Sequence, residues 1–600
     1  MSAIWGIVDF KGNEINTYDK KRMSESYSAC RIDKIQDINR ADFYMASGIQ
    51  YITVEATQEQ FPYTYIDNKV MVADAIIDNR KEIISEFTLK NELSLKGVDG
   101  SILYEITAKS IMQALDRLCG AFVFAEYEEK EKKIYIANDA VGNRSIYYLY
   151  NNGRFVFSSL LKPLVPYLDK IEVEEEWLKQ FIDNEDLLIV NSPSLTPYKN
   201  IYRLEPGEML EVTEKGIQHN RYWNPYKKNK KLKFKTDDEY KTIVIDTFKK
   251  CVESVIREPG ETGLLLSGGL DSNAVAAFAA PYLKKKGKKL ISYTSVPNDK
   301  IEPIPKKEYY VSNERIYVEK LKQYHDNLEP HFIDVSKIDI VPEFENVSKE
   351  IETPIKTVVN APWIHNAFRQ AKTDGCNILL GGQYGNITIS YGMINNLFAS
   401  LKHSGRLISL VKAVSTYGKA FKVNRKRVMR NALKEKKVYS IKQSRKFMYD
   451  KKALRQVGES ELHESLISGV IFRDPTRDRR LIELVISLPI EQFVNPYTDR
   501  RLVREYMKDV IPYEIVSERF HKGSQGDAGY DTIRTKWTEI KEGLKAKYNS
   551  NMGKKFLSNK NLCDWVDHID EKDTINEFNM IKAIYLGSLC EYLEEMANGK

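Results

Sequence analysis

No two cysteines in this chain stand at a spacing that metal centres or redox pairs use. The six (Cys30, Cys119, Cys251, Cys376, Cys563 and Cys590) lie far apart, with no CxxC and no cysteine–histidine pair at ligand spacing. They read as reduced thiols of a cytoplasmic protein. No apolar run reaches the roughly 18 residues that a membrane span needs. The opening MSAIWGIVDFKGNE also lacks a basic stretch followed by an apolar one, so the expectation is a soluble chain that is not exported. A large charge of one sign is missing too: 91 Lys and Arg face 84 Asp and Glu, a formal net charge of +7 over 600 residues. That balance demands no nucleic-acid partner. What the chain does have is length, more than one hydrophobic core usually organises, so two or more domains are expected.

The most informative stretch is GLLLSGGLDS, Gly263 to Ser272. An apolar strand-type run ends at Ser267, two glycines follow, and a helical pattern starts near Asp271, so the backbone N–H groups of the turn converge on one spot suited to phosphate. No lysine follows the glycines, which argues against a loop that cleaves a γ-phosphate. What remains is a grip on pyrophosphate by the backbone from Ser267 through Gly268, Gly269 and Leu270, by the hydroxyls of Ser267 and Ser272, and by Asp271 placed to hold Mg²⁺. The string resembles the PP-loop of ATP pyrophosphatases, which split ATP to AMP and pyrophosphate while adenylating a substrate.

Residues 1 to about 225 are rich in short strand-type runs: Ile4–Phe10, Val70–Ala75, Gly120–Tyr127, Lys133–Asn138, Ser145–Tyr150 and Arg154–Ser158, separated by turn signals such as Asn151-Asn152-Gly153 and Pro206-Gly207. A layered, mostly antiparallel α+β domain follows. Tyr226–Lys235 (YKKNKKLKFK) reads as a charged linker. From 236 onward, a helical pattern at Asp237–Arg257 precedes the PP-loop strand. Strand-type runs (Leu290–Val296, His331–Val335, Cys376–Leu380) then alternate with helical ones (Lys307–Tyr324, Pro362–Thr373). That alternation predicts a parallel sheet covered on both faces, with ligands at the carboxyl ends of its strands, where SGG, Thr294-Ser295 and Gly381-Gly382 fall.

The order IWGIVDF, ADAIIDNRKEI, LCGAFVFAEYE, IYIANDAVGNRSIYYL, NIYRLEPGEMLEV, RYWNP is similar to the glutaminase-like domain of class II asparagine synthetases, an Ntn-hydrolase-like fold, and the PP-loop follows where that family has it. The departures carry the argument. The family's nucleophilic cysteine directly after the initiator methionine is Ser2 here, and the stretch Phe43–Gln50 (FYMASGIQ) has no arginine to hold a glutamine carboxylate. A terminal hydroxyl can act as a nucleophile with the α-amine as base, but loss of both thiol and arginine points to a domain that no longer hydrolyses glutamine. Asn79 and Asp99 stand where the family has pocket residues and read as structural.

By the same resemblance, Leu266 and the turn Thr294–Val296 flank the adenine, and Gly381 and Gly382 approach the ribose and α-phosphate. Where the synthetases carry SGEGSDE this chain has LLGGQYGNITIS, so Gln383 and Asn386 replace a glutamate that works near the aspartyl substrate and an aspartate that ligates Mg²⁺. An amide oxygen ligates Mg²⁺ more weakly than a carboxylate. Tyr384 resembles the catalytic tyrosine of β-lactam synthetases, offset by one position. DPTRDRRLIE (Asp474–Glu483) and ERFHKGSQGD (Glu518–Asp527) continue the likeness, and Lys522 matches the family lysine that stabilises charge as the acyl-adenylate forms and collapses. Between Lys419 and Arg455, fifteen Lys/Arg stand against two acids, with few aromatics interleaved. A solvated helical face is the expected reading, with docking of an acidic peptide or protein as the second.

This combination resembles lasso-peptide cyclases (macrolactam synthetases). The resemblance implies that Mg·ATP adenylates an Asp or Glu side chain of a short peptide and that the peptide's own N-terminal amine attacks, giving an isopeptide ring, AMP and pyrophosphate. It also implies a leader peptidase and a precursor-recognition protein as partners. An ammonia- or glutamine-using asparagine synthetase stays open, with Gln383 and Asn386 against it. So does a β-lactam synthetase-like enzyme, which needs Tyr384 as its base. A PP-loop enzyme of tRNA modification would need a nucleic-acid-binding region and paired cysteines. A non-catalytic scaffold would predict loss of Asp271 or Lys522, and both are present.

Overall fold

The computed structural model describes residues 2–66, 68–184, 192–228, 231–257, 259–297, 310–311, 313–434, 451–518, 522–523, 526–557, 561–570 and 577–599. Eleven strands form two antiparallel sheets in the N-terminal part: β1 (Ser2–Asp9), β2 (Lys34–Asn39), β3 (Phe43–Ile49), β4 (Lys69–Ile77), β5 (Gly120–Glu128), β6 (Lys133–Asn138), β7 (Tyr147–Asn151), β8 (Arg154–Ser158), β9 (Tyr202–Arg203), β10 (Glu208–Thr213) and β11 (Gly216–Arg221). The orders are β2-β3-β1-β8-β7-β9 and β11-β10-β6-β5-β4. The two sheets face each other. Ile4, Val8, Phe43 and Met45 of one share a core with Val70, Val72, Val123 and Ala125 of the other, as alternation along pleated strands requires. The helix Asp99–Arg117 seals the outer side of β4 and β5, its Ile102 and Ile106 packing in one cluster with Met71, Ala73, Phe122 and Phe124.

The second part is built on a parallel sheet of β12 (Glu261–Leu265), β13 (Leu290–Val296), β15 (Leu328–Asp334), β16 (Cys376–Leu380) and β17 (Ile471–Arg473), in the order β15-β13-β12-β16-β17. A separate parallel pair joins β14 (Tyr310–Val311) to β18 (Lys522–Gly523). Successive residues of β12 go to opposite faces. Leu264 enters the cluster with Val275 and Phe248 on helices Leu270–Lys285 and Asp237–Val255, whereas Leu265 enters the cluster with Phe368 and Ala371 on helix Asn360–Thr373. Both faces of the central strands are thus covered, and β13 is buried along its whole length, whereas the edge strand β15 is mostly half-buried.

Three local expectations change. The helix expected over Lys307–Tyr324 runs over Arg315–Tyr324, because Asn313 Oδ1 accepts the N–H of Arg315 at 3.1 Å and Tyr310–Val311 is drawn into β14; 298–309 lie outside the described residues. The strand expected at His331–Val335 starts at Leu328. It is an edge strand, where Pro330 costs no ladder bond. The stretch expected as a linker is pinned down: Pro225–Lys228 is helical, Leu232 N–H donates to Ser487 O at 2.9 Å, and Phe234 sits edge-on to Tyr240.

The two parts meet over a charged, buried contact. Arg473 pairs with Asp78 at 2.6 Å, Arg257 with Asp99 at 3.0 Å, and Arg203 with Glu459. Arg479 donates to the carbonyls of Leu115 (2.9 Å) and Asp116 (2.8 Å), in the last turn of helix Asp99–Arg117. Those carbonyls lack helical partners, and a guanidinium satisfies them. Asp99 and Asn79 are structural, as the sequence reading has them: Asp99 Oδ1 accepts the N–H of Ile77 at 3.1 Å, and Asn79 bridges Arg117 O (2.9 Å) and Cys119 N (2.9 Å).

Candidate active site

The PP-loop lies between the end of β12 and the helix Leu270–Lys285. Ser267 and Ser272 hydroxyls meet at 2.9 Å, Gly269 N–H donates to Ser267 Oγ at 3.1 Å, and Asn273 Nδ2 ties down the carbonyls of Ser267 (2.9 Å) and Gly269 (2.8 Å). These bonds fix the turn from beneath. The helix has Gly269 as its N-cap and no side-chain cap, so its first amides are left for an anion, with the helix dipole favouring negative charge there. Gly268 is required by contact: a Cβ would lie 2.6 Å from the Tyr317 ring and 3.4 Å from Glu314 Oε1.

Asp271 follows in the first helical turn. Its Oδ1 is buried with no hydrogen-bond partner. Burial pushes its pKa up to about 6; the Ser390 hydroxyl and the Arg500 guanidinium oppose the rise, and Asp474 adds to it. The neighbouring strand β16 delivers the string Gly381–Ser390 to the same place. A Cβ on Gly382 would stand 3.0 Å from the Asp271 carbonyl carbon, and one on Gly385 would overlap the Asp271 carboxylate itself. A buried carboxylate oxygen without a partner, beside the amide of Asn386 on the same cavity wall, suits Mg²⁺, a cation that keeps several waters and phosphate oxygens and takes few protein ligands. Among the described residues no group of three or more His, Cys, Asp or Glu gathers to hold a metal by itself.

A cavity of about 710 Å³ opens over this loop. Of the residues expected to form the site, Ser267, Gly268, Gly269, Leu270, Asp271, Ser272, Gly382, Gln383 and Asn386 line it together. Others do not. Leu266 is buried in the core, Thr294 and Ser295 are buried near the end of β13, and Gly381 lies under Phe472. Tyr384, expected as a base, is also buried in the core, 5% exposed, with its N–H held by Asp474 Oδ2 at 3.0 Å. The offset of one position is the reason: on the short turn leading into Gly385–Ile387, Gln383 faces the cavity and the next residue faces away. Lys522 is described through its backbone, in β18 beside Tyr310; its side chain lies outside the described residues.

The cavity is also walled by the apolar Val347, Ile351, Ile355, Trp363, Ile364 and Phe368 and by the charged Glu461, Glu464, Asp499, Arg500, Arg504 and Glu518. Sequence reasoning missed these charges. Arg500 stands in the left-handed region at φ 50°, an uncommon conformation for a long side chain that clusters at functional sites. A double arginine in YTDRRLVREYM is the only trace of it in the sequence. In the basic stretch, Lys422, Arg425, Lys426, Arg427 and Arg430 are exposed to solvent; 435–450 lie outside the described residues. Among the described residues, no helix is long and apolar enough to cross a membrane.

The pairing of an antiparallel two-sheet domain with a PP-loop sheet is matched by two family models, a glutamine amidotransferase domain over residues 1–223 and asparagine synthase over residues 244–539. The chain belongs to the asparagine synthetase superfamily. It is 26% identical over 301 residues to glutamine-hydrolyzing asparagine synthetase 3 of Bacillus subtilis, covering 48% of this chain and 47% of that one. It is 22% identical over 421 residues to a provisionally named glutamine-hydrolyzing asparagine synthetase 1 of Methanocaldococcus jannaschii, covering 70% and 64%. An amidase, chry2, of Gibberella zeae is 25% identical over 30% of this chain and 26% of its own length. The chain thus spans less than two thirds of each of these relatives.

Proposed function

We propose that this synthetase adenylates an Asp or Glu side-chain carboxylate within a peptide, and that the peptide's own N-terminal amine then displaces AMP to close a macrolactam ring, as in lasso-peptide cyclases. The observation that carries this reading is the cavity of about 710 Å³ over the PP-loop, whose wall extends past the loop along Val347, Ile351, Ile355, Trp363, Ile364 and Phe368. Apolar walls of this extent suit a segment with more apolar surface than free aspartate has. Gln383 and Asn386, where related synthetases carry acids, also lower the charge available to a free aspartate.

In this reading the amides of Leu270 and Asp271 at the uncapped helix start and the Ser267 and Ser272 hydroxyls bind the pyrophosphate part of ATP. Asp271 and Asn386 would hold Mg²⁺, which supplies charge neutralisation on the phosphates. Arg500 balances Asp271. Lys522 is assigned to the charge that develops at the α-phosphate and acyl carbon. The tethered amine needs no ammonia supply, because an intramolecular nucleophile reaches a very high effective concentration. This agrees with Ser2 in place of cysteine and with the missing arginine. A leader peptidase and a precursor-recognition protein would be its working partners.

The test incubates the purified chain with MgATP and either short peptides that carry a free N-terminal amine and an internal Asp or Glu, or free aspartate with ammonia or glutamine. Pyrophosphate release with loss of one water from a peptide is expected. Release with free aspartate and with no peptide overturns the reading in favour of asparagine synthesis.

A further inference from the structure

The cavity described above is also lined by Ser460, Glu461 and Glu464 of the helix Lys451–Ser468. Of the neighbouring acids, Glu464 Oε2 lies 2.9 Å from His365 Nδ1, and Asp499, whose Oδ1 is also buried without a hydrogen bond, forms an ion pair with Arg504 at 3.3 Å. Glu461 is 9% exposed; one carboxylate oxygen, Oε2, is held by Arg477, and the other, Oε1, is buried with no hydrogen-bond partner. An ionised carboxylate only accepts hydrogen bonds, so a buried Oε1 left empty costs free energy until a donor arrives.

The surroundings favour a cationic donor. Glu461, Asp474, Asp139 and Asp74 lie in one buried network with Arg477 and Arg144, and the cavity wall adds Glu464, Asp499 and Glu518 against Arg500 and Arg504. On its own helix Glu461 is flanked by Glu459, which pairs with Arg203, by His463, 3.6 Å from Glu352, and by Glu464 with His365. Acids exceed arginines around Glu461, and the site can take one more positive charge beside an apolar wall. A primary ammonium at the end of a peptide fits: three donors on a small head, with an apolar chain behind.

We propose that Glu461 binds the attacking ammonium of the substrate through Oε1 and accepts its proton. This rests on the amide-closing reading above. The ammonium nitrogen gives one proton to the Glu461 carboxylate, and the freed lone pair forms the C–N bond at the acyl carbon of the adenylate. The C–O bond to AMP breaks with its electron pair going to the phosphate oxygen, and the second nitrogen proton leaves to solvent. Glu461 suits the task in proton affinity, since burial pushes its pKa up to about 7 against the pull of Arg477, and a base near the working pH is the effective one.

The experiment separates the half-reactions in Glu461→Gln and the unaltered protein. ATP–pyrophosphate exchange supported by a free-amine peptide with an internal Asp or Glu reports adenylation, and loss of water by mass spectrometry reports closure. The expected result is exchange within about threefold, closure slowed about a hundredfold or more, and loss of the rise in closure rate near pH 7. Hydroxylamine, largely unprotonated at neutral pH, should capture the acyl-adenylate equally in both proteins. Closure at the unaltered rate in Glu461→Gln overturns the proposal, whereas absence of exchange in the unaltered protein with every peptide overturns the parent reading instead. Should Glu461→Gln lose exchange as well, binding to the unaltered protein decides. A peptide with its N-terminal amine replaced by hydrogen is expected to bind about tenfold more weakly or worse, and equal binding overturns the proposal.

Discussion

Gly385 is packed directly against Asp271: a Cβ built on it would overlap Asp271 Cγ and Oδ1. The two residues are brought together because β16 lies beside β12 in the sheet, with Leu264 opposite Leu380. Each strand end then feeds one half of the same site.

Gly385→Ala is accordingly expected to displace the Asp271 carboxylate and reduce ATP–pyrophosphate exchange by about tenfold or more, the scale of a misplacement at a reacting centre. A melting curve of the variant beside the exchange assay checks it. An unchanged exchange rate would mean that the Asp271 carboxylate is not held where the reaction needs it.

The raised pKa of Asp271 makes a second prediction, on stability in the absence of metal and nucleotide. The fold favours the protonated acid, so its penalty is absent below the ordinary value of 3.8 and complete above about 6. Asp271→Asn removes the charge. It should stabilise the metal-free protein at pH 7 by up to about 3 kcal/mol and match the parent near pH 4. Urea denaturation at the two pH values measures this, and the same variant should lose pyrophosphate release.

Arg203 and Glu459 form a buried ion pair across the two domains, with Tyr147 also donating to Glu459. Arg203→Met leaves the carboxylate buried beside an apolar group. A loss of about 3–5 kcal/mol is expected, read as a lower urea midpoint, and Arg203→Met combined with Glu459→Leu should recover part of it.

Ser2→Ala is expected to leave peptide closure and pyrophosphate release within about twofold, since no step of the proposed reaction uses a residue of the first two sheets. The strand that lacks the family arginine, β3, leads into Gln50, whose amide donates to the carbonyls of Arg31 (2.7 Å) and Leu466 (3.2 Å). That end of the N-terminal domain braces the synthetase domain. Glutamate formed from glutamine, lost in Ser2→Ala, would show that hydrolysis persists.

Much of the site was legible because phosphate-binding turns are local. SGGLDS and GGQYGN carry their chemistry within a few consecutive residues; all of the first and Gly382, Gln383 and Asn386 of the second appear on the cavity wall. Residues inferred from strand ends alone, such as Thr294, were placed near the right edge of the sheet but buried in it, because the direction a side chain takes at a strand end depends on one residue of phase. Tyr384 failed for the same reason.

The sequence by itself determined the two-domain order and the place of the phosphate-binding turn, since glycine turns and strand alternation follow from short stretches of chain. The tertiary structure alone decided the role of DPTRDRR, whose arginines reach Asn143, Glu461 and the last-turn carbonyls of helix Asp99–Arg117. It alone left Glu461 Oε1 without a partner. Such facts are not local: whether a buried charge is paired depends on groups hundreds of residues away in the chain, which only packing brings within hydrogen-bond reach.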